Sequence, residues 1–163
     1  MNRTIETAIM LMLLAGSAVA RPAEYPGPYY ADVVKVLDAD TLRAEVKLWP
    51  AIQTLATIRL RGVDTPEKGF RARCKAERDA AERATRYVRN LVRRHRRIRL
   101  RDIRLGKYAG RVVATVEVRD WRGRWQPLAE LLIRRGLGRP YDGGKRQPWC
   151  PWPKSVGKGD RLR

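Results

Sequence analysis

The chain has 163 residues, enough for one domain with its own core, and 36 Lys and Arg against 17 Asp and Glu give a formal net charge of +19. One histidine and two cysteines are too few for a zinc site of imidazole and thiolate ligands. The charge predicts a polyanionic partner, either nucleic acid or an anionic lipid or lipopolysaccharide surface, because charge alone does not separate these.

The first 20 residues have the pattern of a secretory signal peptide. Asn2 and Arg3 precede an apolar run over residues 8–20, and the small residues Ala18 and Ala20 stand where a signal peptidase would cleave. The run is too short to cross a bilayer comfortably. We therefore expect cleavage after Ala20, a periplasmic or secreted protein, and no membrane span after cleavage.

Residues 21–31 contain three prolines and a glycine and predict an irregular lead-in. Alternating apolar and polar residues on both sides of a turn at Asp38 to Asp40 then predict a β-hairpin with strands at residues 32–37 and 41–48. A connection at residues 49–54 leads to a third strand at residues 55–63.

That third strand ends in the stretch RLRGVDTPE, residues 59–67, which carries Arg59, Asp64 and Glu67. Asp64 and Glu67 also fit a helix start, with an N-cap and a capping box around Pro66. The alternative is that irregular backbone beyond a strand converges these side chains into a metal and phosphate site. Gly69, a poor helix former, weakens the first interpretation.

The second half predicts one long helix, two strands and one short helix. Ala80, Ala84, Val88 and Leu91 recur at helical spacing within residues 74–94. Strands are predicted at residues 97–105 and 112–118, and Pro127 opens a short helix at residues 128–135. The sequence from residue 139 onward is rich in Pro and Gly and predicts no regular element.

Two cysteines, Cys74 and Cys150, remain in the exported chain. In an oxidising compartment such a pair favours a disulfide over a metal site. The disulfide would tie the C-terminal tail to the region that follows residues 64–67.

Five strands with a helix between the third and fourth indicate an OB-fold: a five-stranded β-barrel with helices (α+β) and a short C-terminal helix. We place this domain at residues 32–141 and a basic, disulfide-tied tail at residues 142–163.

Four motifs in this order resemble the staphylococcal nuclease (thermonuclease) family. They are DADT at residues 38–41, RLRGVDTPE at residues 59–67, KYAGR at residues 107–111 and LAELLIRRGLGRPY at residues 128–141. Ala39 replaces a glycine of the family's first motif, which a turn without positive φ tolerates. KYAGR is one residue longer than the family's usual K-Y-G-R.

The resemblance implies a site that holds Ca²⁺ and a phosphodiester. It makes Asp40, Asp64 and the main-chain carbonyl of Thr65 the calcium ligands. Asp38 corresponds to an aspartate that supports these ligands without binding calcium itself. It makes Glu67 the general base, and Arg59 and Arg111 the arginines that grip the scissile phosphate. Lys107, Tyr108 and Tyr141 correspond to substrate-binding positions. Oxygen-only ligands independently suit a hard cation.

These residues predict an exported, calcium-dependent nuclease, acting as a monomer without an evident protein partner. It would cut DNA and RNA with little sequence preference and, by the resemblance, leave 3′-phosphates. One alternative is an OB-fold module that binds nucleic acid without cutting it. Another is a cationic envelope protein that acts on anionic lipid or lipopolysaccharide, which would explain the charge but not the acids.

Overall fold

The computed structural model describes residues 23–107 and 110–150. The predicted signal peptide, Tyr108 and the end of the tail lie outside these residues. Within them no helix is both long and apolar enough to cross a bilayer.

Five strands close into a barrel. Strand β3 pairs with β2 on one side and, in parallel, with β6 on the other, so the ladder β3-β2-β1-β5-β6 returns to its own start. Two short additions complete the sheets: β7 extends the barrel sheet beside β6, and β4 pairs with β8. The α+β OB-fold prediction is confirmed. The strands are β1 Tyr29–Asp38, β2 Thr41–Trp49, β3 Ile52–Leu60, β4 Gly62–Asp64, β5 Arg97–Leu105, β6 Arg111–Arg119, β7 Trp125–Pro127 and β8 Arg139–Tyr141.

The barrel strands bury alternate side chains because successive residues of a strand point to opposite faces. In β2 the inward residues are Leu42, Ala44 and Val46, and in β6 they include Ala114 and Val116. The outward residues of the same strands are largely charged. This alternation is the reason that strand prediction from the sequence succeeds here.

Two helices pack against the barrel. Helix α1, Lys75–Arg94, buries the stripe of Ala80, Ala84 and Val88 at helical spacing, as predicted. Helix α2, Leu128–Arg134, buries Leu128 and Leu132. Gly136 follows α2 with a φ of 64°, a conformation that favours glycine and ends the helix.

Four boundary predictions were wrong. Strand β1 begins at Tyr29 and not at residue 32, since Tyr29 and Tyr30 already pair with β5. Strand β3 begins at Ile52, since only Pro50 and Ala51 form the hairpin turn, and it ends at Leu60. Gly62, with a φ of 82°, starts the separate strand β4. The tail is not wholly irregular, because β8 pairs with β4 and places Arg139 opposite Asp64. This long-range pairing has no local signal in the sequence.

Asp64 is not a helix N-cap. It ends strand β4, the next four residues are irregular, and only a single 3₁₀ turn, Gly69–Arg71, precedes α1. The interpretation of residues 64–67 as a helix start is therefore wrong, and Glu67 lies on irregular backbone.

Cys74 and Cys150 form the predicted disulfide, with 76 residues of sequence separation. The bond joins the residue just before α1 to the end of the described tail. It therefore fixes the tail against the loop that carries Glu67.

We expect removal of this disulfide to lower the free energy of unfolding by about 4 kcal/mol, because the unfolded chain regains the entropy of a long open loop. Urea unfolding of the oxidised protein and of Cys74→Ala/Cys150→Ala measures the difference. Added reductant should lower the stability of the wild type and leave that of the variant unchanged. Equal stability of the oxidised protein and the variant would contradict this expectation.

Candidate functional site

Two aspartates are almost fully buried at one end of the barrel. Asp40, in the β1–β2 turn, and Asp64, at the end of β4, are each 4% exposed. Asp40 accepts hydrogen bonds from the hydroxyls of Thr41 (2.9 Å) and Thr65 (2.6 Å), and its carbonyl accepts the Leu60 N–H at 2.8 Å. Ala39 beside it is buried and is not among the described residues with positive φ, so the turn tolerates the missing glycine.

Arg59 lies between these two carboxylates. Its Nη1 contacts Asp40 Oδ2, its Nη2 lies 3.7 Å from Asp64 Oδ1, and the same Nη2 donates to the Val63 carbonyl at 3.2 Å. The register of β2 and β3 places Thr41 opposite Arg59, which explains why the turn and the arginine meet. Charges buried this deeply need such a partner.

Arg111 projects from the neighbouring strand on the same face as Arg59. The parallel pairing sets Thr57 beside Arg111 and Arg59 beside Val113. The two arginines therefore lie on adjacent strands, offset by two residues along the strand direction. Both line an open cleft of about 1020 Å³ together with Asp40 and Glu67. The predicted arginine pair and the acids thus share one cleft.

Glu67 reaches this cleft from the loop after β4. Its carboxylate pairs with Arg71 Nε at 3.1 Å and with Arg146 Nη1 at 2.7 Å, and its side chain is 28% exposed. Arg71 also donates to Asp38 at 3.1 Å, and Lys68 lies 2.9 Å from the same carboxylate. Asp38 therefore lies beside the site and anchors the Glu67 loop through two cations.

Three further residues, Lys107, Tyr108 and Tyr141, were predicted to bind substrate. Lys107 and Tyr141 both line the cleft. The Tyr141 hydroxyl donates to the Gly144 carbonyl at 2.9 Å. Tyr108 lies outside the described residues, so its predicted role stays a prediction.

Two tail residues at the site were missed in the sequence. Arg146 Nε lies 3.2 Å from Asp64 Oδ1, in addition to its contact with Glu67. The Trp149 indole N–H donates to Asp64 Oδ2 at 3.0 Å. The predicted disulfide indicated that the tail approaches this region. Nothing in the sequence indicated which side chains of the tail reach the acids.

Arg146 stays charged in this setting. Burial lowers the pKa of its guanidinium, but the charge of Asp64 and the hydrogen bond and charge of Glu67 outweigh burial, so the pKa lies above its ordinary value. Arg146 is thus a counter-ion of Asp64 and Glu67 within the protein.

The residues present fit a hard divalent cation. Asp40 and Asp64 offer carboxylate oxygens with Thr65 beside them, and Asp64 Oδ1 is buried without a hydrogen bond within the described residues. Such oxygen-only donors suit Ca²⁺. Cys74, Glu77 and Cys150 also cluster, but they are no metal site because the disulfide leaves no thiolate.

One comparison with known proteins places the chain in a family. A model of the family described as "Staphylococcal nuclease homologue" matches residues 57–148, more than half of the chain. The matched segment begins in β3 and ends in the tail, so it includes Arg59, Asp64, Glu67, Arg111 and Arg146. No curated protein matches the chain.

Glu77, buried in the first turn of α1, organises the Glu67 loop. Its Oε1 accepts the Glu67 N–H at 3.2 Å, and its Oε2 accepts the Arg73 N–H at 2.8 Å. One carboxylate thus holds the loop at two points, two residues before the 3₁₀ turn begins and two residues after it ends.

We expect Glu77→Gln to lower the free energy of unfolding by about 1–3 kcal/mol, because the amide nitrogen cannot accept a backbone N–H and leaves one buried donor unpaired. Glu82→Gln, an exposed position on the same helix, is the matched control and should leave stability nearly unchanged. Urea unfolding checks both variants. Equal effects at the two positions would contradict a specific role for Glu77.

Proposed function

The chain belongs to the staphylococcal nuclease homologue family, and from this premise we propose that it is an exported, calcium-dependent nuclease that hydrolyses phosphodiester bonds of DNA and RNA. The observation that carries the proposal is the cleft in which Asp40 and Glu67 meet Arg59 and Arg111, with Asp64 beside Arg59. The predicted signal peptide and the disulfide support export.

The two arginines are the proposed phosphate contacts. Guanidinium groups bind phosphate oxygens through paired N–H donors, and they stabilise the negative charge that grows in the transition state. Arg59 and Arg111 come from adjacent paired strands, so the barrel fixes their separation before substrate binds. Contacts of this kind read the backbone and not the bases, which supports low sequence preference.

Asp40, Asp64 and the Thr65 carbonyl are the proposed calcium ligands. The bound cation would polarise a phosphoryl oxygen and add positive charge beside the arginines. In the protein alone Arg59 and Arg146 neutralise these acids. Calcium and substrate would therefore displace ion pairs that already neutralise these carboxylates.

Glu67 is the proposed general base. Its carboxylate faces the cleft from a loop and is partly exposed, so a water molecule can reach it. Glu67 would accept a proton from that water as its oxygen bonds to phosphorus. The bond between phosphorus and the 5′-oxygen would break, the 5′-oxygen would take a proton from solvent to become a hydroxyl, and the phosphate would stay on the 3′-oxygen. Arg71 and Arg146 hold the carboxylate in the cleft until then.

Binding without cleavage is the second candidate function. The ion pairs of Arg146 with Asp64 and Glu67 favour it, because they occupy the acids that catalysis needs. The two functions make opposite predictions for a defined substrate.

We expect the purified, oxidised protein to degrade circular single-stranded DNA in the presence of calcium and not with a chelator. Glu67→Gln should reduce the rate about 10²- to 10⁴-fold, the usual contribution of a general base. Glu130→Gln, which alters an exposed acid paired with Arg134 on α2, is the matched control. Intact DNA that shifts on a gel would establish binding without cleavage, and full activity of Glu67→Gln would exclude this mechanism.

Replacing either phosphate arginine with lysine should also reduce the rate, by about 10²-fold, because a point charge cannot reproduce two parallel N–H donors. Arg134→Lys, in an exposed ion pair, controls for the substitution itself. Initial rates of DNA degradation check Arg59→Lys and Arg111→Lys, with thermal melts to confirm folding. Activity equal to that of Arg134→Lys would show that these side chains do not contact the scissile phosphate.

A further inference from the structure

The end of the described tail forms a rigid segment over the acids. We call residues 146–150 the clasp. Cys150 is bonded to Cys74, and Arg139 holds the segment from β8 by donating to the Pro148 carbonyl at 3.1 Å. The Arg139 guanidinium also lies 3.8 Å above the centre of the Trp149 ring. These contacts fix the clasp from both sides of Trp149.

Trp149 makes a directed contact with the site. The ring is 5% exposed, and its N–H donates to Asp64 Oδ2 at 3.0 Å. The indole can only donate and the ionised carboxylate can only accept, so the bond has one possible sense. Both partners are buried, which removes water as a competing partner.

The bond distinguishes the two oxygens of Asp64. Oδ2 is held by the indole, whereas Oδ1 is buried, makes no hydrogen bond within the described residues, and faces the guanidinium groups of Arg59 and Arg146. A carboxylate pinned at one oxygen cannot rotate freely. The hydrogen bond to Oδ2 therefore also fixes the direction in which Oδ1 points.

We propose that Trp149 is a positioning residue that orients Asp64 for a divalent cation, and that the disulfide makes this orientation a property of the oxidised protein. The inference rests on the proposed function, because it assigns Asp64 as a calcium ligand. When a group that hydrogen-bonds a metal ligand is removed, the metal affinity commonly falls about 10- to 100-fold. Trp149 has the burial, the direction and the anchoring that such a group needs.

The test measures calcium affinity and not activity. Calcium chloride is titrated calorimetrically into the oxidised full-length protein without nucleic acid. Trp149→Phe keeps an aromatic ring under Arg139 but removes the N–H, and it should weaken calcium binding about 10-fold or more. Trp121→Phe is the matched control: Trp121 is 77% exposed and lies against Arg122 on the β6–β7 turn. Its calcium affinity should equal that of the wild type.

A disulfide variant tests the second half of the proposal. Cys74→Ser/Cys150→Ser should weaken calcium binding in the same direction, because the clasp is no longer held at its end. Adding Trp149→Phe to that variant should cause little further loss, since both changes act through one hydrogen bond. A full second loss would mean that the disulfide and Trp149 act independently, which would overturn the proposed link.

The outcomes separate this inference from the proposed function. A wild type that binds no calcium overturns both, whereas calcium binding of unchanged affinity in Trp149→Phe overturns the inference alone. If Trp149→Phe does not fold, the indole N–H signals of the ¹⁵N-labelled wild type decide. Calcium should shift the Trp149 signal and not that of Trp121, and an unmoved Trp149 signal would overturn the inference.

Discussion

The requirement to compensate two buried carboxylates dominates this structure. Asp40 lies in the β1–β2 turn and Asp64 at the end of β4, and each is almost inaccessible to water. An ionised carboxylate in such a place is stable only with a cation or several donors beside it. Arg59 meets that requirement from strand β3, and the register of the barrel decides that it can. The barrel thus does more than bury a core, because it brings opposite charges together at one end.

A second layer of contacts holds the less regular parts of the site. Glu77 binds two backbone N–H groups of the Glu67 loop, Asp38 binds its cations, and the disulfide fixes the tail beside it. A loop that carries a proposed general base needs such support, since small displacements of a reacting group slow a reaction strongly. Side-chain contacts and the disulfide therefore hold the irregular loop and the clasp in place.

The fold was largely predictable because its determinants are local. Period-two alternation located the barrel strands and 3.6-residue spacing located α1, while Pro127 and Gly136 marked the limits of α2. The errors after β3 and in the tail fall where backbone pairing is long-range. Strands β4 and β8 are three residues each and pair across most of the domain, so neither has enough residues to show a period. The same pairing places the tail beside Asp64.

The sequence by itself determined the strands and helix of the barrel, because their residue patterns repeat at short spacings, and the partner of each cysteine, because only two cysteines are present. The acids and arginines of the candidate site were predicted through the resemblance of four motifs to a known family. Only the tertiary structure decided that Arg146 and Trp149 contact Asp64, and that Glu77 supports Glu67. An arginine and a tryptophan in a Pro- and Gly-rich tail have no periodicity that reveals their partners. Their positions depend on how a disulfide and a three-residue ladder fold the tail back onto the barrel, and residues distant along the chain fix that path together.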